Sequence, residues 1–283
     1  MGVRVTAPVR VDISGGWPDS DPYRKDFGGI VLNAAINLRV SAHLDRNLVV
    51  SPLRVPPHSG LGASGALRSV ELVASNPILL KDKLNLIRKV WAFENKIIGN
   101  RAGFQDEAVA IYGGVNYWEF GKDDSIKVTQ IPRKQSQHLE DRLVLIYTGE
   151  THLSRNIHDL VFGPGNYERN ILAIHRMKEI AKEMKDRLED ESEMGRLISD
   201  TWTLQKSLHR SIETSHMKIL QKILRGSYLG ARATGAGGGG CMIFYTNDRE
   251  NLIRTLNKAK KKLVWQRIIP FKFDSKGIEC EYI

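Results

Sequence analysis

The sequence is poor in cysteine: Cys241 and Cys280 are the two in 283 residues. They stand far apart and in no paired-cysteine spacing, which argues against a disulfide framework and against a cysteine-ligated zinc site. Long apolar runs are also missing, since no stretch approaches the roughly 18 residues of a membrane-spanning helix. The opening "MGVRVTAPVRVDISGG" carries charges where a secretory signal needs an unbroken apolar segment, so a soluble, cytoplasmic protein is expected. Negative charge is in deficit, with 32 Asp and Glu against 42 Lys and Arg and a net charge of +10. That balance favours anionic partners: nucleic acid, acidic membrane surfaces or phosphorylated small molecules. The densest basic cluster, "KAKKKLVWQR", follows Leu252, Ile253 and Leu256, and reads either as the solvated face of a helix or as part of an RNA-binding surface.

What is present suffices for a large core. The chain is 41% hydrophobic, which at this length predicts two lobes rather than one compact unit. β-like runs open it, "VRVTAPVRVDIS", "IVLNAAINLRVSAHL" and "NLVVSPLRVPP", predicted as strands of one sheet. From Ile78 to Ile98 the period changes. Leu80, Leu84, Ile87, Trp91 and Ile98 recur at helical spacing, which predicts an amphipathic helix with Pro77 in its first turn. A polar, turn-rich stretch then gives way to "RLVLIYTG", dividing the chain near Lys134 into lobes of residues 1–134 and 135–283. Residues 167–224 read as helical with a break at "EDESEMG". Beyond lie "GARATGAGGGG", the β-run "CMIFY", a helix over 248–263 and a final strand at "IIPFKF".

Two glycine clusters call for explanation. In "SGLGASGALRSV", Gly60, Gly62 and Gly65 precede or open a helix carrying Leu67, Val70 and Ala74. Glycine permits positive φ and close approach to the backbone, and amides gathered at a helix N-terminus suit a phosphate group. The Ser64 hydroxyl could ligate magnesium there. A simple Gly/Ser turn explains the same residues, and the stretch lacks the Gly-Lys-Ser/Thr ending of a Walker loop. The second cluster, "TGAGGGGC", runs straight into the apolar "CMIFY", which predicts a tight backbone crossing in preference to a linker.

Carboxylates mark three further positions. Asp106 opens a short helix with Val109 and Ile111, where the helix dipole favours an ionised acid. Glu94 falls on the apolar stripe, three residues after Trp91, so it requires a cation or an arginine partner. In "PVRVDISGGWPDSDPY", Gly16, Trp17 and Asp19 follow a strand bearing Arg10 and Asp12. An indole and a carboxylate together suit a polyhydroxylated sugar, and a strand-to-turn corner accounts for the glycines equally well.

Taken in order, "APVRVDISGGWPDSD", "SGLGASGAL" and "GARATGAGGGGCMIFY" resemble the three motifs of the GHMP kinases, named for galactokinase, homoserine kinase, mevalonate kinase and phosphomevalonate kinase. The resemblance covers essentially the whole chain. Within the family it is nearest to the fucokinase and heptose-phosphate kinase branch, through "SGGWPDSDPY" and "YTGETHLSRNI". It implies an α+β, two-lobed fold with a ribosomal-protein-S5-like N-terminal lobe and a ferredoxin-like C-terminal lobe. It also implies an ATP- and magnesium-dependent kinase acting on a sugar hydroxyl, by preference the anomeric one of a fucose-like sugar. A heptose-phosphate kinase is the alternative enzyme, and a non-catalytic sugar- or nucleic-acid-binding protein on the same fold is the alternative outside catalysis. The implied partners are a nucleotide and a sugar or sugar phosphate, with no membrane, nucleic acid disfavoured and a homodimer allowed.

The same resemblance implies residue roles. Asp106 corresponds to the catalytic aspartate and Arg10 to the arginine that counters developing charge. Gly60, Leu61, Gly62, Ala63, Ser64, Gly65 and Ala66 correspond to the phosphate loop, and Ser64 and Glu94 to the magnesium ligands. Gly16, Trp17 and Asp19 correspond to sugar-contacting positions, and the loop from Gly235 to Gly240 to the glycine motif that closes the site beside the phosphates, with Gly237 and Gly238 on the substrate. The chain departs from the pattern at Ala63, where the loop usually has a serine, at Glu107, where the branch has glutamine, and at Asp21, an added charge in the substrate segment. The run from "NLVVSPLRVPPHS" to the loop is also shorter than in the family, which bears on how the nucleotide base is enclosed.

Overall fold

The structure is a computed structural model that describes residues 2–51, 58–99, 102–151, 154–259 and 265–283, with the backbone alone at 154–156. Strand β1 (Val3–Asp12) is partly exposed at its start and becomes buried on both faces over its second half. A single 3-10 turn at Trp17–Asp19 and helix α1 (Tyr23–Phe27) lead to β2 (Gly29–Leu44), and β3 (Leu48–Ser51) folds back upon it. Helix α2 (Ala63–Ser75), a 3-10 turn at Pro77–Lys81 and α3 (Lys83–Ala92) follow, α3 widening into a π-helical turn at Phe93–Ile98. The helix predicted from Ile78 to Ile98 is thus three helical pieces. Asp82 separates the first two and caps α3 by accepting from Asn85 N. Helix α4 (Gln105–Tyr112), β4 (Val115–Phe120) and β5 (Ile126–Gln130) complete the first half.

Helix α5 (Arg133–Arg142) begins where the sequence divides the lobes and hands over to β6 (Leu143–Tyr147). Helices α6 (Ser154–Phe162), α7 (Asn166–Asp186), α8 (Glu191–Leu208) and α9 (Ser215–Ile223) then build the helical layer. The chain continues through β7 (Gly230–Ala233), β8 (Cys241–Tyr245), α10 (Arg249–Lys258), β9 (Arg267–Ile269) and β10 (Glu279–Tyr282). The second half of "NLVVSPLRVPP" and much of the basic "KAKKK" run lie outside the described residues.

Two antiparallel sheets result, the arrangement expected of an α+β fold. One runs β10-β1-β2-β4-β5 with β3 beside β2, and the other β7-β8-β6-β9. The division at residues 134 and 135 therefore does not divide the sheets, because β10 returns to pair with β1 from Val3↔Tyr282 to Thr6↔Glu279. The predicted final strand at "IIPFKF" is only the short β9. The return path is fixed by an irregularity. Between Pro8 and Val9 the register of β1 on β2 skips Asn37 and Leu38, and Asn37 instead exchanges hydrogen bonds with Lys272. A bulge opposite Pro8, which has no amide to donate, re-aims the end of the strand. That end delivers Arg10 and Asp12 between the helices of the first lobe and the sheet of the second.

Candidate active site

A cleft of about 450 Å³ opens where β1, the start of α2, the start of α4 and the glycine-rich turn after β7 converge. Its wall includes Arg10, Gly16, Trp17, Gly60, Leu61, Gly62, Ala63, Ser64, Glu94, Asp106 and Gly235. Most of the residues singled out in the sequence, drawn from distant segments, thus face one space.

Positive φ at Gly60 (74°) and Gly62 (68°) turns the chain into α2. Both are also crowded. A Cβ on Gly60 would stand 2.3 Å from Thr234 O, and one on Gly62 would meet Asp106 Cγ at 3.0 Å and Arg10 Cγ at 3.1 Å. No side chain caps α2, so its first amides face the cleft as a helix N-terminus suited to an anion. Gly65 and Ala66 are different. They are buried within α2, and a Cβ on Gly65 would lie 2.8 Å from Asp106 Cβ and 2.9 Å from Glu107 N, so this glycine serves the close packing of α2 on α4.

Arg10 is the hub. Its Nε donates to Asp106 Oδ1 at 2.9 Å, a second nitrogen approaches the same oxygen at 2.8 Å, and a third donates to Gly60 O. The Arg10 side chain is 4% exposed and that of Asp106 25%, so the carboxylate reaches the cleft while the guanidinium holds it from behind. Thr234 Oγ1 accepts from Asp12 N at 3.0 Å, and buried Arg232 binds Asp12 O at 2.6 Å and Asp12 Oδ2 at 3.2 Å. These contacts clamp the end of β1 to β7 of the other sheet.

Ser64, in the first turn of α2, donates to Glu94 Oε1, and Glu94 is buried to 2% exposure on the π-helical turn. A hydroxyl and a carboxylate side by side on the cleft wall form a hard-oxygen donor pair of the kind magnesium accepts. Among the described residues no cluster of three His, Cys, Asp or Glu is arranged to hold a metal unaided.

On the opposite wall, Trp17 packs against His158 and Phe162 with ring centroids 4.9 and 5.6 Å apart, and its Nε1 has no hydrogen-bond partner among the described residues. Gly16 leaves room for Gln105, whose amide nitrogen lies 1.5 Å from where a Cβ would stand. Asp19 does not share this surface. It is 1% exposed, and its Oδ2 accepts from Gln105 N at 2.9 Å. Burial, with Asp106 and Asp12 nearby, pushes its carboxyl up to about 8 despite that hydrogen bond. Gly237 and Gly238 are likewise turned away. Gly238 N donates to Ile212 O at 2.7 Å, and a Cβ on Gly237 would meet Ile212, so Gly235 and Ala236 are the glycine-turn residues on the cleft.

Sequence reasoning missed Gln105, Ser20, His58, Ser59 and His158 on the wall, as well as Thr234 and Arg232 beneath it. Glu107, noted only as a departure, is fully buried with both carboxyl oxygens lacking partners among the described residues. Burial, then the Glu94 charge, raise its pKa well above the usual range.

Comparison with known proteins bears on the family and the fold. The family described as GHMP kinases C terminal matches residues 175–264. A D-glycero-alpha-D-manno-heptose 7-phosphate kinase of Campylobacter jejuni is 24% identical, over 98% of this chain and 98% of that protein. A bifunctional fucokinase/GDP-fucose pyrophosphorylase of Arabidopsis thaliana is also 24% identical, over 87% of this chain but only 30% of that larger protein. Among solved structures, a D-glycero-D-manno-heptose 1-phosphate kinase from Bacteroides thetaiotaomicron superposes with a TM-score of 0.77 at 22% identity, covering 99% of each chain.

Proposed function

We propose that the chain is a GHMP kinase, a reading supported by the C-terminal family match and the end-to-end similarity to a heptose 7-phosphate kinase, and that it transfers the γ-phosphate of ATP to a sugar hydroxyl, the anomeric one by preference. The observation that carries the reading is the Arg10–Asp106 pair set against Gly60 at the entrance to α2. Phosphoryl transfer requires positioning and electrostatic stabilisation more than covalent chemistry by the protein. The first amides of α2 and the Gly60–Gly62 turn would bind the phosphates, and Arg10 would counter the charge that develops on the transferred group. Asp106, held by Arg10 yet open to the cleft, would orient the acceptor hydroxyl and take its proton. Ser64 and Glu94 would hold magnesium, which supplies charge neutralisation on the phosphates. Trp17 and Gln105 line the wall where the acceptor would lie.

Two acceptor classes divide the reading. A fucose-like free sugar is one, since the "SGGWPDSDPY" segment suits a hydroxyl-rich acceptor and resembles the motif that fucokinases share with heptose-phosphate kinases. The end-to-end match to a heptose 7-phosphate kinase, together with the net charge of +10, favours an acceptor that already carries phosphate. Magnesium-dependent ATP consumption across a panel of free sugars and sugar phosphates separates them. The parent protein turns over one class, and Asp106→Asn lowers that turnover by about 10²-fold or more while ATP binding persists. Undiminished turnover in Asp106→Asn would overturn the assignment of the base.

A further inference from the structure

We propose that Asp19 is a positioning residue, whose carboxyl fixes the first turn of α4, and with it Asp106, against the corner that follows β1, instead of contacting the sugar. The proposal rests on the kinase reading of Asp106 given above.

Three segments converge on this carboxyl. Asp19 closes the short Trp17–Asp19 turn. Behind it, Gly29 at the start of β2 leaves no room for a side chain, since a Cβ there would stand 2.6 Å from Pro18 O and 2.8 Å from Asp19 Cα. In front, Gly103 does the same, because its Cβ would fall 2.1 Å from Asp19 Oδ2 and 2.4 Å from Asp19 Cγ. Neither glycine needs a positive φ. The space occupied by Asp19 therefore accounts for both. Flanked in this way, the carboxyl has one oriented use, accepting from Gln105 N.

That amide is the first of α4, and no side chain from the helix's own flank caps it. The first amides of a helix lack partners within the helix, and a side chain that accepts from one of them fixes where the helix begins. Asp19 supplies this cap from 86 residues away in sequence. Asp106 is the next residue after the capped amide, so its backbone cannot shift without breaking this contact or the Gly65 packing against Asp106 Cβ. Arg10 orients the Asp106 side chain and Asp19 the main chain from which it projects. Burial keeps the Asp19 carboxyl protonated near neutrality, so asparagine reproduces its shape, its charge and its acceptor oxygen. Alanine removes the acceptor.

The test compares Asp19→Ala, Asp19→Asn and Gly103→Ala, the last pressing a methyl group into the carboxyl from outside. The expected result is a kcat at least about 10-fold lower in Asp19→Ala and Gly103→Ala, with KM for the acceptor within about 2-fold of the parent, and recovery of most of the lost turnover in Asp19→Asn; a 10-fold loss corresponds to about 1.4 kcal/mol at the transition state. A sugar contact gives a different pattern. KM for the acceptor would rise in Asp19→Asn as well as in Asp19→Ala, and that result overturns the proposal. Hydrogen exchange at the Gln105 amide reports on the same contact without any turnover. Protection lost in Asp19→Ala and kept in Asp19→Asn supports the cap even if no acceptor on the panel is phosphorylated, in which case the kinase reading alone falls. Protection unchanged in Asp19→Ala overturns the cap.

Discussion

Glu107 makes the stability of this protein depend on pH in a direction opposite to that of a paired carboxylate. The side chain is fully buried in the first turn of α4, and neither carboxyl oxygen has a partner among the described residues. An isolated ion in such a place is costly, so the folded protein keeps the proton. Burial is the main cause, and the charges of Glu94, Asp106 and Asp19 add to it. An unfolded chain releases the same proton near the ordinary value of 4.5. The stabilisation is therefore complete below that value and is lost as pH rises towards the elevated folded-state pKa, by at most about 1.4 kcal/mol per pH unit.

Glu107→Gln keeps the shape and removes the titration. Its stability relative to the parent should rise by up to about 2.8 kcal/mol between roughly pH 5.5 and 7.5. Because about 1 kcal/mol moves the melting temperature of a chain near this size by about 2–4 °C, the gap between the two melting curves should widen as pH rises, by at most roughly 6–11 °C over that range. Calorimetric melting of both proteins in EDTA, at three pH values across the window, measures it. Melting temperatures that run parallel over the whole range would refute the reasoning, since both proteins would then bind the same number of protons on folding.

Three other perturbations probe neighbouring parts of the site. Glu94→Gln should raise the magnesium concentration for half-maximal turnover by about 10-fold or more with little change in the acceptor KM, and an unchanged magnesium titration would remove Glu94 as a ligand. Arg232→Met leaves Asp12 buried without its cation and should cost about 3–5 kcal/mol of stability, read by urea denaturation; a loss below about 1 kcal/mol would show that the clamp on β1 is held elsewhere. Gly65→Ala presses a methyl group between α2 and α4 and should cost about 1–3 kcal/mol and lower kcat as well, whereas parental stability and turnover would show that the two helices yield to it.

The elements legible in the sequence were those with dense apolar periodicity. β1, β2, β6, β8 and α3 each bury a continuous face, and the patterns of Val, Ile and Leu reveal them. Helix α5 was not legible because it buries only Ser136, Leu139 and Glu140, leaving no apolar stripe to count. The C-terminal strand β10 was missed for a similar reason, since "ECEY" carries no hydrophobic run and is ordered by pairing with an edge that lies more than 270 residues earlier. At the site, glycines and isolated acids disclosed which segments meet, but not how each side chain turns once they do. Asp19 illustrates the difference. Its place beside Trp17 was readable, but its direction depends on Gly29 and Gly103, whose meaning lies in what they make room for.

The charges around the cleft form a connected problem with one solution. Asp12, Asp19, Glu94, Asp106 and Glu107 gather about Arg10 and Arg232, and a triphosphate would add more negative charge to the same space. Arg232 offsets Asp12 and Arg10 offsets Asp106, while burial pushes the carboxyl of Asp19 up to about 8 and that of Glu107 well above the usual range. Glu94 accepts from Ser64 at the start of α2, close to the Gly60–Gly62 turn to which the proposed function assigns the phosphates. Burial favours the uncharged forms of both acids, which makes them tolerable near an anionic substrate. Ionisation of either would put a negative charge near Asp106 and would weaken the field in which the proposed function holds the nucleotide, so the raised pKa of each acid would serve the chemistry through the charge it withholds.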